Sequence, residues 1–422
     1  MKRVSLFAVL AVGVLVGGAC SSSSKGSSTA PSSGPSSSTA STATTKASGP
    51  GIVDGQVVIG STAGPEAPGF EDGIKARIDS FNKAGGAGGV KVKYVGNRNN
   101  NDDPNQDLTL MKQLALQDHA YSVLTYPTLT QPAAAQFLQK QNVPLIGDGF
   151  NPVMCNNNNS FGYAGCVVAG IAKQPAGTLP VDAYFKVLVP KILKTLKGAK
   201  IALVGQAVGG GQQFTDLYTS TAKALGVDVV YSRAVIPLTA SQDFQPFASA
   251  VIATHPDAVI TIVGSVPAIA FKAKMIQDGY KGPIFDNTYS PALLQDPTTA
   301  AALEGTYETA QTPTLQDTGE YVTQMKADFA ADGITDSKVA VGTLIGYNSA
   351  DFFVAALKKV APNFSKFDDT INAGFTYAPA GGNSSTWPQD HAGFTSSCIA
   401  VTKVTNAKFD LVSPFTCYDK AS

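Results

Sequence analysis

Little in this 422-residue sequence is equipped for chemistry at a side chain. Only three histidines occur, and they lie in unrelated settings: His119 at a helix end, His255 beside a proline turn, His391 in a C-terminal loop. None is placed to act as base for a nucleophile. Gly60-Ser61-Thr62-Ala63-Gly64 has the spacing of a hydrolase nucleophile elbow, but its central residue is Thr. Gly209-Gly210-Gly211 is followed by no Gly-Lys-Ser/Thr and lacks dinucleotide spacing, which leaves a turn whose backbone amides can meet a ligand. The Asn- and Asp-rich stretch 99–107 lacks the sixth-position glycine and closing glutamate of a calcium loop, and reads instead as a helix cap at Asp103. There is no Cys-x-x-Cys for zinc. Lys plus Arg and Asp plus Glu number 31 each, with no basic block, so nucleic acid is not an expected partner. No catalytic residue, cofactor or metal is expected, and the chain does not read as an enzyme.

Long apolar runs are equally scarce. The one that exists, Val4 to Val16, follows Met1-Lys2-Arg3 and precedes Gly17-Gly18-Ala19-Cys20. It is shorter than the ~20 residues a membrane-spanning helix needs, and its flanks read as an export signal over residues 1–19. The cysteine after small residues resembles the bacterial lipoprotein box, which implies lipidation of Cys20, although Gly17 stands where that box usually has leucine. Residues 20–50 are almost wholly Ser, Thr, Ala, Gly and Pro, with Lys25 and Lys46 the only charges. Such a stretch cannot bury enough apolar surface to order itself, and it is expected to be a disordered tether with a reach of roughly 30 Å.

Four cysteines remain after Cys20, an even number that favours disulfides in an exported chain. Three connectivities exist in principle, and spacing suggests local pairing of Cys155 with Cys166 and of Cys398 with Cys417. The second pair flanks two apolar runs, 399–404 and 409–412, as a stapled hairpin would.

From about residue 52 the chain is long enough for two domains. A buried strand over 57–60 leads to a helix whose apolar positions are Phe70, Ile74, Ile78 and Phe81. Gly85-Gly86 stops it. Strand 90–95 follows, then a helix opened by Asp103 as cap, Pro104 at its first position and Gln106 in a capping box. Strand 122–125, helix 133–141 and strand 143–146 complete a βαβαβαβ series, which implies a parallel sheet covered on both faces. The pattern restarts with helix 181–196, strand 200–204, helix 212–225, strand 227–231, helix 244–253, strand 258–263, helix 267–277 and strand 283–285. Residues 174–177 read as a hinge. Helices 319–332 and 339–360 come late.

Val58-Ile59-Gly60, Gly64-Pro65, Gly73-Ile74-Lys75-Ala76 and Asn82-Lys83-Ala84-Gly85-Gly86, with Asp102-Asp103-Pro104 and Thr130-Gln131-Pro132-Ala133, resemble the branched-chain amino-acid-binding proteins of ABC importers. The resemblance implies the type 1 periplasmic-binding fold, two doubly wound α/β lobes joined by a multi-strand hinge. Lobe 1 is expected over 51–177 and 308–372, lobe 2 over 178–307 and 373–422. The chain would be a monomeric receptor, held by its lipid to the outer face of the bacterial cytoplasmic membrane. It would deliver a small polar solute, an amino acid or related amide or acid, to permease and ATPase subunits. A ligand-sensing module is the alternative use of the same fold.

In open α/β sheets ligands bind beyond the carboxyl ends of the strands. The loops to inspect are 62–70, 126–131, 147–151, 206–211, residue 265 and 286–290. From them Phe70, Tyr126, Thr128, Thr130, Gly149, Phe150, Asn151, Gln206, Val208, Asp286, Thr288 and Tyr289 are the candidate ligand contacts. Each aromatic among them would serve a core equally well, and it is their placement on four cleft loops that favours contact. The resemblance places Pro127 where the family has a carboxylate-binding serine, with Thr128 beside it. It places Val208 at the position of an aromatic ring, and Thr288, next to Asp286 and Tyr289, near that of an acid for the ligand ammonium.

Overall fold

The computed structural model describes residues 51–126, 130–155, 157–166, 185, 192–207, 211–237, 243–381, 384–392 and 396–419. Cys20, the tether, the expected hinge at 174–177 and most of the helix expected over 181–196 lie outside the described residues, as do Thr128 and Val208.

Two sheets organise the chain. The first contains β1 (Ile52–Val53), β2 (Gln56–Ala63), β3 (Lys91–Asn99), β4 (Ser122–Thr125), β5 (Leu145–Gly147) and β6 (Ser160–Gly162). Apart from β1, which turns back antiparallel on β2, neighbours pair in parallel in the order β3-β2-β4-β5-β6. The second contains β7 (Lys200–Gln206), β8 (Asp228–Ile236), β9 (Ala258–Ile262), β10 (Ile284–Asp286) and β11 (Tyr307–Ala310), ordered β8-β7-β9-β10-β11, all parallel. The hairpin β14 (Ser396–Thr405) and β15 (Lys408–Asp419) joins antiparallel beyond β11. Each sheet therefore starts at an inner strand, adds one neighbour, then reverses and grows the other way. The reversal leaves a crevice between β2 and β4 in one sheet and between β7 and β9 in the other, where α/β sheets bind ligands.

The sequence dictates these elements through burial on both faces of the central strands. Every residue of β2 after Gln56 is buried, as is every residue of β7 after Lys200, the signature of a parallel strand covered on both sides. Helix α1 (Phe70–Lys83) buries Phe70, Ile74, Ile78 and Phe81 as the helical spacing predicts. Helix α2 (Pro104–Lys112) is capped by the Asp103 carboxylate, which accepts from the Asn105 amide at 2.9 Å. Helix α3 (Pro132–Lys140) closes the first series, and α4 (Gly211–Ala224), α5 (Gln245–Ile252) and α6 (Ser265–Gln277) alternate with the second sheet's strands. A short α7 (Pro297–Leu303) precedes β11. Helices α8 (Glu320–Ala331), α9 (Val341–Val360) and α10 (Phe367–Asn372) then return to the first sheet.

Helix α9 meets α1 at close range. A Cβ on Gly346 would collide with the Phe70 carbonyl, so glycine is what lets the two backbones approach. Tyr307–Ala310 belongs to the second sheet, whereas Tyr377 of β12 (Phe375–Tyr377) and Trp387 of β13 (Ser385–Trp387) pack into the first core. The chain thus leaves the second sheet after β11 and rejoins it only at β14, with β12 and β13 on the first core between them. Cys155 bonds to Cys166, and Cys398 to Cys417 directly across the hairpin, the local pairing read from their spacing.

Candidate functional site

Glu66 is set on the β2–α1 loop by the Asn- and Asp-rich segment after β3. Asp102, in a left-handed backbone conformation at φ 52–55° together with Asn101, accepts the Glu66 amide at 3.1 and 3.2 Å on its two carboxylate oxygens. Its own amide donates to Asn100 Oδ1 at 3.1 Å, and Asn100, buried, donates to Asp107 at 2.8 Å. The acidic segment is therefore the bracket of a loop. Burial, assisted by the Asp102 charge, pushes the Glu66 carboxyl up to about 7.

The loop after β5 supplies a second acid. Asp148 is 4% exposed, accepts the Phe150 amide at 2.9 Å, and is pushed up to about 7 by burial. Asn151 caps the next turn, accepting from the Val153 amide at 2.9 Å while its own amide reaches the Thr130 carbonyl at 3.2 Å. The Cys155–Cys166 bridge closes this region, and Tyr163 stands beside Asp148, its hydroxyl raised by burial and by that carboxylate.

From the second sheet, Gln206 ends β7. Its Oε1 accepts the Gly264 amide at 3.1 Å, which fixes the amide's orientation, and its buried Nε2 has no partner among the described residues. Phe214 and Tyr218 are one turn apart on α4. The Tyr289 ring faces the cleft with its hydroxyl occupied, donating to Gln316 Oε1 at 2.6 Å and accepting from the Leu315 amide at 2.9 Å.

These groups enclose a cavity of about 200 Å³ walled by both sheets' loops. The Phe150 ring stacks on that of Phe214, and Glu66 Oε1 lies 3.6 Å from where a Cβ on Gly264 would stand. Six aromatic rings line the cavity, from Tyr126, Phe150, Tyr163, Phe214, Tyr218 and Tyr289, together with the carboxyls of Glu66 and Asp148. Among the described lining residues there is no Lys, Arg or His.

Of the residues singled out from sequence, Tyr126, Phe150, Asn151, Gln206 and Tyr289 line the cavity. Phe70 is instead in the first core. Thr130 is buried against the Thr125 hydroxyl at 3.2 Å, and Gly149, at φ 96°, packs on the Gly165 carbonyl. Asp286 is not free to meet a ligand ammonium. It lies 2.8 Å from Lys272 Nζ, which also reaches Glu308 at 2.9 Å, all three fully buried. The Thr288 hydroxyl donates to the same Asp286 carboxylate at 2.5 Å. Sequence reasoning passed over Glu66 and Asp148, although both sit on loops it marked, and over Tyr163, Phe214 and Tyr218. An acid just past the carboxyl end of a central strand was the available signal for the first two.

A family model described as "Periplasmic binding protein" matches residues 58–408. Among solved structures, the chain is similar to an ABC-transporter solute-binding protein from R. palustris in complex with 4-hydroxybenzoate. That match has 17% identity and a TM-score of 0.66, and covers 86% of this chain and 98% of that one. It is similar also to the branched-chain amino acid transporter substrate-binding protein of Streptococcus pneumoniae in complex with isoleucine, at 15% identity and a TM-score of 0.65, covering 86% and 99%. A fatty acid ABC transporter substrate-binding protein from Thermomonospora curvata aligns at 17% identity and a TM-score of 0.68, covering 88% and 95%. A comparison with curated proteins returns no match.

Proposed function

The chain belongs to the periplasmic binding protein family, whose members are extracytoplasmic, perform no catalysis and hand small molecules to ABC transporters, and we propose that it captures its solute in the cavity between the two sheets. One observation carries this reading: the walls come from the switch-point loops of both sheets, with Glu66 and Phe150 on one side and Gln206 and Phe214 on the other. A solute held there touches both halves at once. It therefore stabilises the closed arrangement by its differential affinity for that state.

The solved relatives carry a benzoate, an amino acid and a fatty acid by their descriptions, so the fold leaves the cargo to the wall chemistry. The amino acid, amide or acid expected from the sequence is one such class. We place lobe 1 on the first sheet with α8–α10 and lobe 2 on the second sheet with its hairpin, the permease and ATPase subunits being the partners of the loaded form. Lipidation of Cys20 would hold the receptor at the membrane. Cys20→Ser should then move the protein from the membrane fraction to the medium, and unchanged retention would sink the anchor.

Calorimetric titration tests the site itself. A solute found by screening should lose at least tenfold affinity in Phe214→Ala and in Tyr126→Ala. Wild-type affinity in both variants would place the solute elsewhere.

A further inference from the structure

The lining charges are one-sided. Two carboxyls and no described cation face a cavity walled by six aromatic rings. A solute carboxylate in this space would lose its hydration beside acids of the same sign with no described cation to offset the loss. An ammonium would find the reverse: carboxylates to pair with and ring faces that attract a cation, an attraction that grows as water is excluded. Lys272, the buried cation of the second sheet, supplies no counter-charge, because Asp286 and Glu308 consume it.

A second feature points to the rest of the ligand. Gln206 is 6% exposed, lines the cavity, and holds its Oε1 on the Gly264 amide. Its Nε2 is then a buried donor with no partner among the described residues. Such a group carries a desolvation cost until an acceptor arrives. The acceptor has to be neutral, since an anion is disfavoured by Glu66, which approaches the same Gly264 edge.

We propose that the cleft takes an organic cation lacking a carboxylate, an amine with an aromatic or branched aliphatic body and a hydroxyl or carbonyl oxygen. Glu66 and Asp148 pair with the ammonium, the rings hold the body and Gln206 Nε2 donates to the oxygen. The proposal rests on capture between the sheets and adds the solute class.

The test uses two matched series that differ in charge at constant body: phenylalaninol, phenylalanine, hydrocinnamate and hydrocinnamyl alcohol, and leucinol, leucine, isocaproate and isohexanol. Each is titrated calorimetrically into the full-length protein at pH 8, above the value of about 7 to which burial raises both carboxyls. The amino alcohol of at least one series should bind at least tenfold more tightly than its neutral alcohol, with the acid and the zwitterion weaker still. Glu66→Gln and Asp148→Asn should each remove about tenfold of the amino alcohol's affinity and change the neutral alcohol's by less than about twofold. Gln206→Leu should weaken the amino alcohol about tenfold and leave phenethylamine, which has no oxygen, unchanged. Acids or amino acids binding as tightly as amino alcohols, or equal binding across a series, would overturn the cation assignment and leave capture standing. Silence from all eight compounds would overturn the assignment alone, since capture is tested separately by the Phe214→Ala and Tyr126→Ala titrations with a screened solute. The wild-type ranking decides the matter even if a variant fails to fold.

Discussion

The rings of Phe150 and Phe214 stack with centroids 6.3 Å apart and planes inclined by 28°. One ring follows β5 in the first sheet and the other rides on α4 over the second, so the pair bridges the two halves. Offset aromatic pairs contribute about 0.5–1.5 kcal/mol beyond their buried area. A double-mutant cycle with Phe150→Ala and Phe214→Ala, followed by urea unfolding of the ligand-free protein, should return a coupling of about that size. Strict additivity would mean that the halves do not meet there in solution.

Glu66 depends on a glycine. A Cβ on Gly64 would collide with the Asp102 carboxylate and the Asn100 side-chain oxygen, the groups that bracket the loop. Gly64→Ala should cost about 1–3 kcal/mol of stability. It should also lower solute affinity, because the Glu66 amide loses its seat on Asp102. Chemical denaturation and titration of one variant read both effects.

Asp148 makes stability depend on pH in a direction opposite to an ion-paired acid. Its folded-state carboxyl is raised to about 7 by burial, against about 3.9 in an unfolded chain. Between those values the native state holds a proton that the unfolded state has lost. The carboxyl is therefore without cost below about pH 4 and increasingly destabilising as pH rises through 7. Asp148→Asn should stabilise the empty protein at pH 8, by an advantage that shrinks by about 2–3 kcal/mol at pH 5. Thermal melts of both proteins across that range check the sign.

Lys272 stands 2.8 Å from Asp286 and 2.9 Å from Glu308 with no solvent contact. Removing one partner of a buried ionic cluster leaves uncompensated charge and costs about 3–5 kcal/mol. Lys272→Met should destabilise by that order in denaturant unfolding. A near-neutral result would show that the carboxylates are not charged when buried there.

The fold was legible in the sequence wherever periodicity was long. The β2–α1 unit, the Asp103 cap and, among the described residues, the βα alternation from β2 to β5 and from β7 to β10 stand within a few residues of where the apolar spacing put them. The strands β6 and β11 were not, since Ser160–Gly162 and Tyr307–Ala310 each hold one large apolar residue, whereas the equally short β4, β5 and β10 hold apolar pairs. The site was half legible. Strand ends marked the right loops, but not which side chain on each loop faces the cavity. Asp286 read as a ligand acid because nothing local in the sequence shows that α6 brings Lys272 onto it. Glu66, between Pro65 and Pro68, was passed over, because only the fold closes the second sheet's Gly264 over it.

The most direct measurement is a thermal-shift screen of small metabolites sorted by charge, run at pH 8 on the wild type beside the Glu66→Gln/Asp148→Asn double variant. A ligand that binds only the folded state raises its melting temperature by mass action. The account predicts stabilising compounds among amines with apolar bodies and a neutral oxygen, and loss of their effect in the double variant. Stabilisation confined to carboxylates, or equal shifts in the two proteins, would contradict it.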